Sequence, residues 1–106
     1  MRIQFNTDNH ISGTANVAER VENHLRERLG RFEERLTRLE VHVNDINGPG
    51  RGGEDKRCTI EARPRNADPL TVSGQASDVD AAVRDASAKM VSVLDSFFGK
   101  ADRHPR

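Results

Sequence analysis

Between Glu19 and Arg38 the chain carries six basic residues, Arg20, Arg26, Arg28, Arg31, Arg35 and Arg38, against five acids, Glu19, Glu22, Glu27, Glu33 and Glu34. Mixed charge at helical spacing is what a solvated helix with internal ion pairs shows. All six bases are arginine, however, and arginine grips phosphate through a planar fork and stacks on bases. Further along, Arg51, Lys56, Arg57, Arg63 and Arg65 stand among Glu54, Asp55 and Glu61, and Arg84, Lys89 and Lys100 follow. The chemistry open to these side chains is the holding of a polyanion, provided that the fold gathers them into a strip and places Asp68, Asp78, Asp80, Asp85 and Asp95 elsewhere.

Groupings that would perform covalent chemistry are missing. His10, His24, His42 and His104 lack the paired spacing of metal ligands, and one cysteine, Cys58, neither completes a zinc site with them nor forms an internal disulfide. Asp78 and Asp80 resemble an acid/base pair only until their position at a helix start is noticed, where the dipole accounts for carboxylates. The four glycines of residues 48–53 lie between two strands, and no lysine-serine or lysine-threonine pair follows them into a helix, so they are no phosphate loop. No catalytic residue, metal, cofactor or small-molecule substrate is expected.

Seventeen basic and seventeen acidic residues cancel, which removes the compositional signature of a nucleic-acid binder and leaves local charge placement to carry any such claim. The opening Met1-Arg2-Ile3-Gln4-Phe5-Asn6 is too polar for a signal-peptide core, and no apolar run approaches the ~20 residues of a membrane span, so the cytoplasm is the expected compartment. At 106 residues one domain with one modest core is expected, spanning 1–106 with a frayed tail from Lys100.

The elements that must position the charges follow from periodicity. Residues 2–6 alternate as a strand, with Ile3 and Phe5 on the covered side. Ser12 and Thr14 offer N-cap oxygens, and Val17, Val21, Leu25, Leu29 and Phe32 then recur at helical intervals, giving a helix from about residue 14 to 29 or beyond. Gly30 is placed to end or loosen it, with one more turn over 31–36. From Arg38 the period drops to two, with Leu39, Val41 and Val43 facing inward. After the glycine-rich connection, Cys58, Ile60 and Ala62 mark a third strand and Leu70 and Val72 a fourth, joined through Pro64 to Pro69. Ser77-Asp78-Val79-Asp80, which places a capping hydroxyl and two carboxylates at a positive helix start, opens a second helix whose stripe runs through Val83, Ala86, Met90, Leu94 and Phe97 to a stop at Gly99.

The resulting order is β-α-β-β-β-α, an α+β fold in two layers: a four-stranded sheet with both helices packed on its one apolar face. The other face is open and polar, offering Arg2, Arg38, His42, Arg57 and Arg63 with Glu40 and Glu61 interspersed. It holds no phenylalanine, which disfavours base stacking on the sheet. Cys58, inside an apolar alternation, reads as a buried small hydrophobe.

Several stretches are more specific than their physics. Ile3-Gln4-Phe5-Asn6-Thr7-Asp8-Asn9-His10, Gly30-Arg31-Phe32, Leu39-Glu40-Val41-His42-Val43, Asp55-Lys56-Arg57-Cys58, Glu61-Ala62-Arg63-Pro64 and Asp80-Ala81-Ala82 resemble the ribosome hibernation-promoting factor family, also labelled ribosome-associated inhibitor or sigma-54 modulation protein. The resemblance covers nearly the whole chain and implies the same β-α-β-β-β-α fold. It implies as partner the small ribosomal subunit and its ribosomal RNA, bound in the decoding channel so that messenger and transfer RNA are occluded, with no membrane involved. The RNA-binding residues it carries over are Arg26, Arg28 and Arg31 from the first helix and its end, Lys56 and Arg57 from the entrance of the third strand, and Lys89 and Lys100 from the second helix. Short members have a lysine-rich second helix and tail, whereas Ser92, Ser96 and Phe98 stand among positions where some of those charges are expected, a departure that implies lower affinity or a different partner site. A short form without the family's extra dimerisation domain is implied as well.

Two other readings compete. Zero net charge and the thinned basic array of the second helix fit a protein-interaction domain that keeps the fold but has lost its RNA grip. An enzyme on the open sheet face would have Arg38, His42 and Arg63 to work with, but no nucleophile-base pair can be named there.

Overall fold

The computed structural model describes residues 1–8, 14–46 and 55–102, with the side chains of 14, 15, 101 and 102 excepted. The glycine-rich connection, Ser12 and the last four residues lie outside the described residues. In chain order the elements are β1 (Arg2–Thr7), α1 (Thr14–Leu29), a 3₁₀ turn (Gly30–Arg35), β2 (Leu36–Asp45), β3 (Lys56–Pro64), β4 (Leu70–Ala76) and α2 (Val79–Asp102). The expected β-α-β-β-β-α order is the one found.

The sheet runs β1-β2-β3-β4. β1 lies parallel to β2, a pairing that needs a long crossover, and α1 supplies it. β2 with β3 and β3 with β4 are antiparallel. Strand alternation sends Leu39, Val41, Val43, Cys58, Ile60 and Ala62 to one face, where all are fully buried, and both helices cover that face with Val21, Leu25, Leu29, Val83, Met90 and Leu94. Each large apolar side chain taken out of water there stabilises the fold by ~1.5–3 kcal/mol, so one continuous core holds the two layers together. Cys58 belongs to it, and burial pushes its thiol pKa up to about 12, which keeps it protonated and inert.

The structure differs from the sequence expectations at element ends. The second helix does not stop at Gly99 but continues to Asp102, because one glycine costs ~1 kcal/mol while Phe98, one residue earlier, is buried and anchors the last turns. Phe98 stacks on Phe32 with ring centroids 5.8 Å apart, whereas Phe97, expected in the core, is only half-buried. The cap of α2 is the carboxylate of Asp78, which accepts the Ala81 N–H at 2.8 Å, rather than the Ser77 hydroxyl. β2 begins at Leu36, two residues before the expected start, with an irregular register between Leu36 and Arg38.

Gly74 explains how closely the layers approach. A Cβ built there would stand 2.5 Å from the Ala86 amide nitrogen and 2.9 Å from the Ala82 carbonyl, so α2 rests on bare β4 backbone at this point. Gly30, by contrast, has open space around its Cβ position. Gly74→Ala is therefore expected to lower unfolding stability by ~1–3 kcal/mol, as overpacked cores do, while Gly30→Ala leaves it unchanged or raises it by up to about 1 kcal/mol. Urea denaturation of the two variants checks this, and equal effects would contradict the assigned packing.

Candidate nucleic-acid interface

Arg20, His24 and Arg28 follow one another at intervals of four on α1 and so share a face. Opposite them, Asp80, Arg84 and Ser87 share a face of α2. Where the helices meet, Arg20 Nε donates to Asp80 Oδ1 at 3.3 Å, and the His24 ring meets Ser87 Oγ at 3.0 Å. The Ser87 hydroxyl gives its one proton to the Arg84 carbonyl at 3.1 Å, so His24 Nε2 must be the donor in the histidine-serine contact. Ser87 is fully buried, a polar group inside the helix stripe that is satisfied from both sides.

This seam forms a groove of about 320 Å³ lined by Arg20, Asn23, His24, Asp80 and Arg84. Desolvation lowers the His24 pKa below 6.5, and the positive charges of Arg28 and Arg84 lower it further, against smaller opposing effects of Glu27 and Asp80. Arg84 lines the groove, and Arg28 stands one turn along α1 from His24. Neither Arg28 nor Arg84 has an ion-pair partner among the described residues, and both are exposed.

The seven residues carried over from the resemblance do not form one ridge. On α1, exposed Arg26 pairs with Glu22 at 3.1 Å one turn back, and exposed Arg28 lies one turn past His24. In the 3₁₀ turn Arg31 bridges to Asp95 of α2 at 2.8 Å, which raises the arginine pKa and lowers that of the carboxylate. Its guanidinium also lies 4.3 Å from the Phe32 ring centre, as that of Arg35 lies 4.0 Å from Phe98. Lys56 sits between Asp55 at 3.0 Å and Asp45 at 3.6 Å, two nearly buried carboxylates. Arg57 points from the opposite, open face of the sheet, in register with Asn44 and Gln75. Lys89 pairs with Asp85 at 3.3 Å and donates to the Ser73 carbonyl of β4 at 2.9 Å, so it guards a sheet edge. Lys100 is exposed near the end of α2. Arg28, Arg57 and Lys100 are the three of the seven with no acid partner among the described residues.

Arg20 and Arg84 stand among the basic residues that the sequence offers for polyanion binding, but neither they nor His24 belong to the set carried over from the resemblance. Two signals pointed to them: the i, i+4 spacing of Arg20, His24 and Arg28, and the matching spacing of Asp80 and Arg84 just past the second helix start. What sequence does not give is the facing of those two rows, which α1–α2 packing creates. Among the described residues no group of three metal-ligating side chains comes together, and no helix is long and apolar enough to cross a membrane.

Lys56→Met leaves Asp45 and Asp55 without their cation, and because Lys56 keeps some solvent contact the expected loss is about 2 kcal/mol of stability, below the ~3–5 of a fully buried broken pair. Denaturant unfolding decides it, and an unchanged midpoint would make Lys56 a free surface cation. For His24 the folded pKa lies below the unfolded one, so protons favour the unfolded chain. The stability this group contributes is complete above ~pH 6.5 and falls as pH drops through the unfolded value toward the folded one. His24→Gln, which keeps a donor for Ser87, is expected to lose less stability than the unaltered chain between ~pH 7.5 and ~5.5. Equal losses would contradict the assignment.

Residues 4–101 match the family described as sigma 54 modulation protein / S30EA ribosomal protein. Among solved structures, a ribosomal subunit interface protein from Coxiella burnetii superposes with a TM-score of 0.68 at 10% identity, covering 94% of this chain and 100% of that one. The Protein Y N-terminal domain of Thermus thermophilus gives 0.63 at 16% identity, covering 92% and 99%. No curated protein matches the chain. At such identities the two structures establish the shared fold, and the family match over almost the entire length establishes membership: the chain belongs to the sigma 54 modulation protein / S30EA ribosomal protein family.

Proposed function

We propose that this chain binds the small ribosomal subunit, lying along its ribosomal RNA in the channel between head and body, and that it silences translation by excluding messenger and transfer RNA. The observation that carries the reading is the family match over residues 4–101. It is supported by a fold neighbour that is itself a ribosomal subunit interface protein. No bond is made or broken in such a mechanism. Occupancy alone does the work, so the residues that matter are those that supply affinity.

Arg28 and Arg84, on adjacent helices and free of acids among the described residues, are the first of these. Exposed ion pairs such as Arg26–Glu22 and Arg31–Asp95 do not disqualify their arginines. Such solvent-screened pairs hold their partners weakly, whereas a phosphate takes a guanidinium through short, charge-assisted and often bidentate hydrogen bonds. An arriving phosphate therefore displaces the carboxylate. Lys56 is different, since leaving its two nearly buried carboxylates costs more than a phosphate returns.

A second reading is favoured by one observation. Four of the seven carried-over cations, Arg26, Arg31, Lys56 and Lys89, are already paired with acids, which suits a regulatory protein-interaction domain of the same fold with weak RNA binding.

Co-sedimentation with small subunits at several salt concentrations separates the two. Phosphate contacts release counterions, so affinity is expected to fall linearly on a log-log plot against salt, with a slope of ~0.7–0.9 for each contact. Arg28→Gln together with Arg84→Gln is expected to weaken binding by at least about tenfold and to flatten the slope by ~1.5. Binding that ignores salt, or a double variant that binds like the unaltered chain, would overturn the RNA reading. Capture of a defined protein without ribosomal RNA would favour the second.

A further inference from the structure

The open face of the sheet, on the side away from both helices, carries a second concentration of positive charge. Arg2 of β1 is in register with Arg38 of β2, and Arg38 with Arg63 of β3, so three guanidinium groups stand in one row across three strands. Like charges directly opposite each other on neighbouring strands repel. The next row supplies partial compensation. Glu40 accepts from Arg38 at 2.6 Å and stands 3.7 Å from Arg63 Nε, and Glu61 takes Arg63 at 3.0 Å. Two carboxylates against three arginines leave the row one positive charge in excess.

The donors are also under-used. Arg2 is exposed and has no ion-pair partner among the described residues. Arg38 Nε and Arg63 Nε are covered by protein yet make no hydrogen bond there. Meanwhile the side chains that carry them remain 35% and 39% exposed, so both arginines keep contact with solvent. Together with Thr37 the three arginines line a shallow cleft of about 380 Å³. Unsatisfied donors beside an uncompensated charge call for an anionic acceptor.

The geometry of the donors selects among anions. A carboxylate offers two oxygens in one plane and duplicates what Glu40 and Glu61 already do. A tetrahedral phosphate offers oxygens in several directions and suits forks arriving from three strands. A phosphodiester, with its single negative charge, also matches the excess of the row. We propose that Arg2, Arg38 and Arg63 form a phosphate-binding site on the open sheet face, and that its occupant is an RNA backbone phosphodiester. The second half of this rests on the ribosome reading above and extends it. The chain contacts RNA from both layers, at the interhelical groove on one side and at this row on the other, as a body seated inside a channel would.

The test follows the Nε–Hε signals of Arg38 and Arg63 by nitrogen-15 NMR on the full chain, assigned with Arg38→Lys and Arg63→Lys. Inorganic phosphate and a short single-stranded oligoribonucleotide are titrated separately, with sodium chloride at matched ionic strength as control. Saturable movement of both signals is expected, at a concentration of oligoribonucleotide at least about tenfold below that of inorganic phosphate, with Arg2→Gln weakening it by about tenfold. Signals that stay in place, or that chloride moves equally, would overturn the site. Saturation by inorganic phosphate with no preference for the oligoribonucleotide would uphold a phosphate site and overturn RNA as its occupant. In co-sedimentation, Arg2→Gln with Arg63→Gln is expected to weaken small-subunit binding. Unchanged binding by that pair, with Arg28→Gln/Arg84→Gln impaired, would overturn the two-layer contact while the ribosome reading stood. Failure of the unaltered chain to sediment with subunits would remove the ribosome reading, while the NMR result would still decide the phosphate site.

Discussion

Val41, Val43, Cys58 and Ile60 are fully buried beneath Val21, Leu25, Met90 and Leu94, and this contact between one sheet face and two helical stripes determines where every charge in the molecule can go. A strand turns alternate residues to opposite sides, so burying one set commits the other to solvent in a fixed register. A helix that gives one stripe to the sheet presents the rest to water and to its neighbour. Gly74 sets the closeness of the layers, since α2 lies against bare β4 backbone there. The charged surfaces are by-products of this packing, but reproducible ones, because slipping β1, β2 or β3 by one residue would put arginines in the core.

Two consequences shape the functional surface. The helices meet along a seam where α1 offers Arg20, His24 and Arg28 and α2 offers Asp80, Arg84 and Ser87, so one arginine is tied to an acid and two are left to solvent. On the far side, the register of three strands lines up Arg2, Arg38 and Arg63. A chain with no net charge thereby presents local positive charge on both layers, while acids consume much of the remainder in pairs. Neutral composition and polyanion binding are compatible when excess charge is concentrated and the exposed pairs are weak enough to exchange.

The fold was legible because periodicity and burial are the same fact seen twice. Leu39, Val41 and Val43 alternate in sequence and are each fully buried in space, and the stripe from Val21 to Leu29 behaves likewise. Element ends were less legible, since Asp78 competes with Ser77 for the cap, and Phe98 carries α2 past Gly99 by a contact with Phe32 distant in sequence. The open-face arginines were readable one by one, and their alignment into a row required the strand register. The interface was least legible. That Arg31 would meet Asp95, or Lys56 two nearly buried carboxylates, depends on approaches between segments whose sequences say nothing of each other. Family resemblance supplied the residues, and only folding separates those that are free from those already engaged.

The proposed binding requires that this packing present arginines to ribosomal RNA inside the small subunit. Chemical footprinting of the small-subunit RNA, with and without the chain at saturating concentration, measures it directly. Protection is expected only at nucleotides that line the channel between head and body and touch the chain from two sides. An unchanged footprint, or protection only on the outer surface of the subunit, would contradict it.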